Sequence, residues 1–112
     1  MMIQYKPYRV VCSAKGCARA AEYKIAAQWT DGALVELKPY GFACSEHLAE
    51  AYRAAKEKRT RCRLSVGESL GPVGIYRFRP GASDQQIERL TELEVEQEQS
   101  LEKTARELKP DP

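Results

Sequence analysis

The spacing of three cysteines and the single histidine constrains the fold of this chain more than any other feature of its sequence. They form two pairs, Cys12 with Cys17 and Cys44 with His47, in the pattern C-x4-C … C-x2-H. Three thiolates and an imidazole are a common ligand set for tetrahedral zinc, provided that the chain brings the two pairs together. The sequence therefore predicts a zinc site and a reversal of the chain between the pairs.

The residues between the pairs predict the β-hairpin that this reversal requires. Over residues 20–30 apolar and polar side chains alternate, which indicates a half-buried strand. Asp31-Gly32 then predicts a two-residue turn, and residues 33–43 return as a second strand. Because Pro39 cannot donate to a β-ladder, we expect a bulge or an edge position there.

A helix is predicted after the second pair, over residues 45–59. Apolar side chains recur there at helical spacing, at Leu48, Ala51, Tyr52 and Ala55. Cys44 and His47 then fall at the helix start, where both can face inward and the helix dipole stabilises a thiolate. In the first pair, Gly16 supplies the positive φ that a tight metal-binding turn often needs.

With these elements in this order, residues 10–59 resemble a treble-clef zinc finger. That fold group has a zinc knuckle, a β-hairpin and a helix whose first turn supplies the second ligand pair. The matching positions are Cys12 and Cys17 in the knuckle and Cys44 and His47 at the helix start, although C-x4-C replaces the commoner C-x2-C. The group includes ribosomal proteins, nucleic-acid binders, protein-interaction modules and some nucleases, so the resemblance implies an architecture and not an activity.

The C-terminal half predicts one more strand and a second helix. Residues 73–80 read as a strand with Tyr76 and Phe78 on one face. The N-cap signal at 83–86 predicts a long acidic helix from Asp84 to about Leu108. We therefore expect an α+β fold in three parts: a treble-clef-like zinc module over 1–64, a β extension over 65–80, and an acidic helix and tail over 81–112.

Four protein ligands would close the coordination sphere, and a closed zinc site is structural rather than catalytic. The chain has no second histidine for a catalytic metal. We therefore expect a non-enzymatic protein whose zinc holds a small core together. Two alternatives remain, namely free buried cysteines with a helix-capping His47, and a disulfide framework. Cys62 has no partner at ligand spacing and is expected to be a small buried apolar residue, or else a ligand in place of His47.

Charge is unevenly distributed along the chain. Residues 1–63 carry twelve Lys and Arg against six Asp and Glu, whereas residues 64–112 carry six against ten. The segment 53–63 concentrates six cations, which is typical either of nucleic-acid contact or of a solvated helix C-terminus. These residues are Arg53, Lys56, Lys58, Arg59, Arg61 and Arg63.

These features favour a cytoplasmic interaction or adaptor module with a protein partner. No apolar run approaches the ~20 residues that span a bilayer, so no membrane partner is expected. Alternatives are RNA or DNA binding through residues 53–63, and a redox switch in which oxidation of a ligand cysteine releases zinc. The C-terminal helix is expected to form either a homodimer contact or a frayed, solvated tail.

Overall fold

The fold is α+β, as predicted, with a three-stranded antiparallel sheet and two helices. The computed structural model describes residues 10–79, 81 and 87–108, with side chains up to Leu101 in the last helix. The elements in chain order are β1 (Tyr23–Thr30), β2 (Val35–Ala43), α1 (Leu48–Thr60), β3 (Ser69–Arg77) and α2 (Thr91–Leu108). The strand order β2-β1-β3 places β1 in the centre of the sheet.

The β-hairpin between the two ligand pairs is present, but its connection is longer than the predicted two-residue turn. Thr30 pairs with Val35, so residues 31–34 form a four-residue loop. The Asp31 carboxylate accepts hydrogen bonds from the N–H groups of Ala33 and Leu34, at 2.9 and 2.7 Å. Because an Asp at the start of a loop can bond its own following backbone, it stabilises this wider turn.

The irregularity expected at Pro39 lies at the neighbouring residue. Ile25 pairs with Gly41 and Ala26 with Pro39, which leaves Tyr40 without a partner on β1. Strand β2 is also an edge strand, where the missing N–H of Pro39 is tolerated. The extra residue allows the Tyr40 side chain to pack against the core formed by the sheet and α1.

Helix α1 buries the predicted apolar stripe against the sheet. Leu48, Tyr52 and Ala55 are buried and Ala51 packs beside them. The helix begins at Leu48 rather than at residue 45, because residues 45–47 form a turn. The largest fully buried side chains are two isoleucines and a cysteine, Ile25, Ile75 and Cys44. Such a small core stabilises the fold only modestly, since each buried isoleucine contributes about 1.5–3 kcal/mol.

The second helix begins at Thr91, so the long helix predicted from Asp84 is wrong. The predicted cap residues at 83–86 lie outside the described residues. Residues 88–90 lie along the outer edge of β3. The N–H of Arg77 donates to the carbonyl of Glu88 at 2.9 Å, and the N–H of Leu90 donates to the carbonyl of Ile75 at 2.7 Å. Because these backbone groups pair with a strand, the helix cannot start before them.

Glu94, in the first turns of α2, completes this edge of the sheet. The residue is 8% exposed, and its carboxylate accepts a hydrogen bond from the N–H of Ile75 at 3.1 Å. The Arg89 guanidinium donates two further bonds to the same carboxylate, both at 2.9 Å. The buried charge is therefore paired and hydrogen-bonded. Within the described part of the chain, neither helix is long and apolar enough to cross a membrane.

The pairing of Glu94 predicts a large stability difference between two neighbouring glutamates. Glu94→Ala leaves the Ile75 N–H without its partner and Arg89 without its counter-ion, so unfolding should cost about 2–3 kcal/mol less. Glu92→Ala changes an exposed residue in the same turn and should stay within about 0.5 kcal/mol of the wild type. Urea denaturation checks both, and equal midpoints for the two variants would contradict this role of Glu94.

Candidate metal centre

The segment before β1 folds back on itself and places Cys12 and Cys17 side by side. The N–H of Cys12 donates to the carbonyl of Arg19 at 2.9 Å, and the N–H of Cys17 donates to that of Ala14 at 3.0 Å. Gly16 has φ +81°. That angle suits the third residue of a type II turn, where glycine has no steric penalty. The glycine predicted for this turn is therefore confirmed in its conformation.

Cys44 and His47 lie in the turn between β2 and α1. The N–H of His47 donates to the carbonyl of Cys44 at 3.3 Å, which closes the turn and brings the thiol and the imidazole to the same side. The Glu22 carboxylate accepts a hydrogen bond from the N–H of Ser45 at 2.8 Å. This bond fixes the start of the turn to the residue just before β1.

Ser13 joins the two halves of the site directly. Its N–H donates to the carbonyl of Phe42 at 2.8 Å, and its hydroxyl accepts from the N–H of Phe42 at 2.9 Å. Neither Ser13 nor Glu22 was predicted as part of the site. Nothing in their spacing distinguishes them from other serines and glutamates, because both bonds depend on how the segment before β1 lies against the end of β2.

The four predicted ligand atoms form one compact cluster. Nδ1 of His47 lies 3.3 Å from Sγ of Cys44 and 3.7 Å from Sγ of Cys12, and the sulfurs of Cys17 and Cys44 are 4.0 Å apart. All four atoms lie within 4.8 Å of one another. Zn–S bonds of about 2.3 Å in a tetrahedron place the sulfurs about 3.8 Å apart, so the cluster has the size of a zinc site.

The pKa values of the two thiols of the first pair are shifted in opposite directions. Burial raises the pKa of Cys12, but hydrogen bonds from the N–H groups of Ala14 and Cys44 outweigh it, and the pKa lies below its ordinary value. The N–H of Arg19 lowers the pKa of Cys17, yet burial and the neighbouring thiols raise it above its ordinary value. Three adjacent thiolates repel one another unless a metal ion supplies positive charge.

Cys62 lies outside this cluster. It follows the end of α1 and is half-buried rather than buried, and its sulfur is 3.0 Å from Nζ of Lys38. The expectation of a small buried apolar residue is therefore wrong, because the thiol is half-buried and contacts a charged amine. Its position also removes it as a substitute for His47.

Two of the six cations of residues 53–63 bond to other elements of the fold. Lys56 pairs with Glu98 of α2. Arg59 donates to the carbonyls of Leu70 and Gly71 at 2.8 and 2.6 Å, which ties the end of α1 to β3. The other four are exposed, namely Arg53, Lys58, Arg61 and Arg63.

Comparison with protein-family models, with curated proteins and with solved structures finds no significant match for this chain. The functional conclusion therefore depends on the geometry of the site and of the surfaces around it. Cys12, Cys17, Cys44 and His47 lie close enough together to bind one metal ion.

Two cysteine substitutions test the site against a matched control. Cys44→Ser should abolish stoichiometric metal binding and lower the melting temperature sharply, since a structural zinc contributes apparent binding energies on the order of 10 kcal/mol. Cys62→Ser removes a thiol that contacts no ligand and should retain one zinc per chain. Metal content by mass spectrometry and thermal melting by circular dichroism distinguish them. Equal zinc content in the two variants would exclude Cys44 as a ligand.

Proposed function

We propose that this chain is a non-enzymatic protein in which Cys12, Cys17, Cys44 and His47 bind one structural Zn²⁺ in a treble-clef-like module. The proposal rests on one observation: the segment just before β1 and the turn just after β2 bring these four ligand atoms together at the open end of the β-hairpin. Thiolate and imidazole ligands in a tetrahedral arrangement favour zinc over the harder cations magnesium and calcium. The order of knuckle, hairpin and helix supports the treble-clef comparison.

A structural role follows from the number of ligands and from the size of the core. Four protein ligands leave zinc no open position for water or substrate. The ion would join the segment before β1 to the turn before α1, across a hairpin that buries few large side chains. In a domain of this size, such a cross-link replaces part of the hydrophobic stabilisation.

The module is proposed to act as an adaptor for another protein. Two of the six cations in residues 53–63 already bond to other elements of the fold, which reduces the positive charge left for a nucleic-acid surface. The first part of α2 offers a different surface, where Glu92, Val95 and Glu96 are exposed. Such a mixed acidic and apolar face suits a protein partner, including a second copy of the chain.

Zinc coordination and nucleic-acid binding are measured on the same preparation. X-ray absorption should show three sulfur neighbours and one nitrogen neighbour around zinc, with no water. Short RNA and duplex DNA should not bind even at low salt, where phosphate contacts are strongest. A coordinated water would favour an enzyme. Salt-sensitive binding that is lost on replacing Arg53, Arg61 and Arg63 by Glu would favour the nucleic-acid alternative.

A redox switch is a second candidate, favoured by one observation. Among the three ligand cysteines, Cys17 is the half-buried one, and its sulfur lies 4.0 Å from that of buried Cys44. Hydrogen peroxide would oxidise the two zinc-bound thiolates to a disulfide and would itself be reduced to two waters, with two protons taken from the solvent and the zinc ion released. Mild hydrogen peroxide with a colorimetric zinc indicator tests it. Retention of zinc with unmodified thiols would rule the switch out.

A further inference from the structure

A cleft of about 350 Å³ lies beside the metal cluster. One wall is the knuckle at Ser13, Ala14 and Lys15, the floor is β2 at residues 40–42, and the other wall is α1. His47 also lines the cleft, and its Nδ1 lies 3.3 Å from Sγ of Cys44. Both walls adjoin proposed metal ligands, so the shape of the cleft depends on the zinc site proposed above.

The helical wall is made of small side chains. Ala51, Ala54 and Ala55 line the cleft at helical spacing. Because these side chains are small, a bound group can come close to the α1 backbone there. On the floor, Gly41 has no side chain, and a Cβ placed on it would lie 3.4 Å from the Ser13 hydroxyl. The volume is at the lower end of ligand pockets, so it holds one or two side chains of a partner rather than a large cofactor.

The rim of the cleft is mainly positive. Lys15 and Lys58 are exposed at its edge, and neither forms an ion pair within the residues that the structure describes. Glu50 is the single carboxylate among the lining residues. When Nδ1 of His47 binds metal, Nε2 keeps its hydrogen and remains a donor. Cations and a donor around an apolar floor complement an apolar group with negative neighbours.

We infer that this cleft binds an extended peptide segment of a partner protein in which an apolar side chain is flanked by Asp or Glu. The apolar side chain enters between the alanines of α1 and the knuckle, and the flanking carboxylates reach Lys15 and Lys58. RNA fits less well, because the aromatic rings here are already packed. Tyr40 packs against the core, and the Phe42 ring meets the Phe78 ring edge to face, with 5.1 Å between the ring centroids. Base stacking would need free ring faces.

The test uses the full-length, zinc-loaded protein and a phage library of random peptides about twelve residues long. Enriched peptides should carry acidic residues around an apolar one. A labelled synthetic copy of the most enriched peptide then titrates each variant by fluorescence anisotropy. Ala54→Trp, which fills the cleft, and Lys15→Glu with Lys58→Glu, which reverses the rim charge, should each weaken binding by about tenfold or more.

Matched controls separate the cleft from general effects of size and charge. Glu57→Trp adds the same ring on α1 outside the cleft, and Arg61→Glu with Arg63→Glu gives the same charge change elsewhere. Both should leave affinity within about twofold. The inference is overturned if no peptide is enriched, or if the selected peptide binds all variants alike. It is also overturned if a labelled uridine oligonucleotide binds and the cleft variants abolish that binding.

Zinc content and melting temperature are measured on every variant, which keeps two failures distinguishable. If the wild type contains no zinc, the proposed function fails. If it holds one zinc per chain and is folded but selects no peptide, only the inference about the cleft fails. Ala54 is exposed and the two lysines contact no ligand, so these variants should retain their zinc and their fold.

Discussion

The closure of the segment before β1 onto the turn before α1 is the contact on which the rest of the structure depends. Four candidate ligand atoms lie there within 4.8 Å of one another, and the N–H and hydroxyl of Ser13 form two hydrogen bonds with the Phe42 backbone beside them. Without this contact, the segment before β1 and the turn before α1 would not be anchored to each other. The proposed zinc ion would neutralise three thiolates that otherwise repel one another, and would cross-link the two segments.

The β3 edge of the sheet is held by ion pairs and hydrogen bonds to carboxylates. A buried carboxylate on α2, Glu94, bonds the edge of β3, and Glu98 accepts bonds from Tyr52 and Lys56 on α1. The hydrogen bond from Lys56 lowers the pKa of Glu98 and burial raises its value less, so the carboxylate stays charged near neutral pH. The ion pair between Lys56 and Glu98 thus links the basic half of the sequence to the acidic half.

Several features were predictable because they depend only on nearby residues. The alternation that indicates β1, the apolar stripe of α1, the positive φ of Gly16 and the spacing of the four ligand side chains all involve neighbours in sequence. The start of α2 was not predictable in the same way. Leu90 bonds to Ile75 of β3, so the helix starts after it, at Thr91. A local helix pattern does not indicate a bond to a strand that is distant in sequence.

The sequence by itself determined the class of fold, the four candidate metal ligands and the hairpin between their two pairs. Only the tertiary structure decided that Ser13 and Glu22 lie at the site, that Lys56 bonds to α2 and Arg59 to β3, and that a cleft lies beside His47. The physical reason is the same in each case. These contacts join residues far apart in the chain, and their partners are set by strand register and helix packing, which a local pattern does not specify.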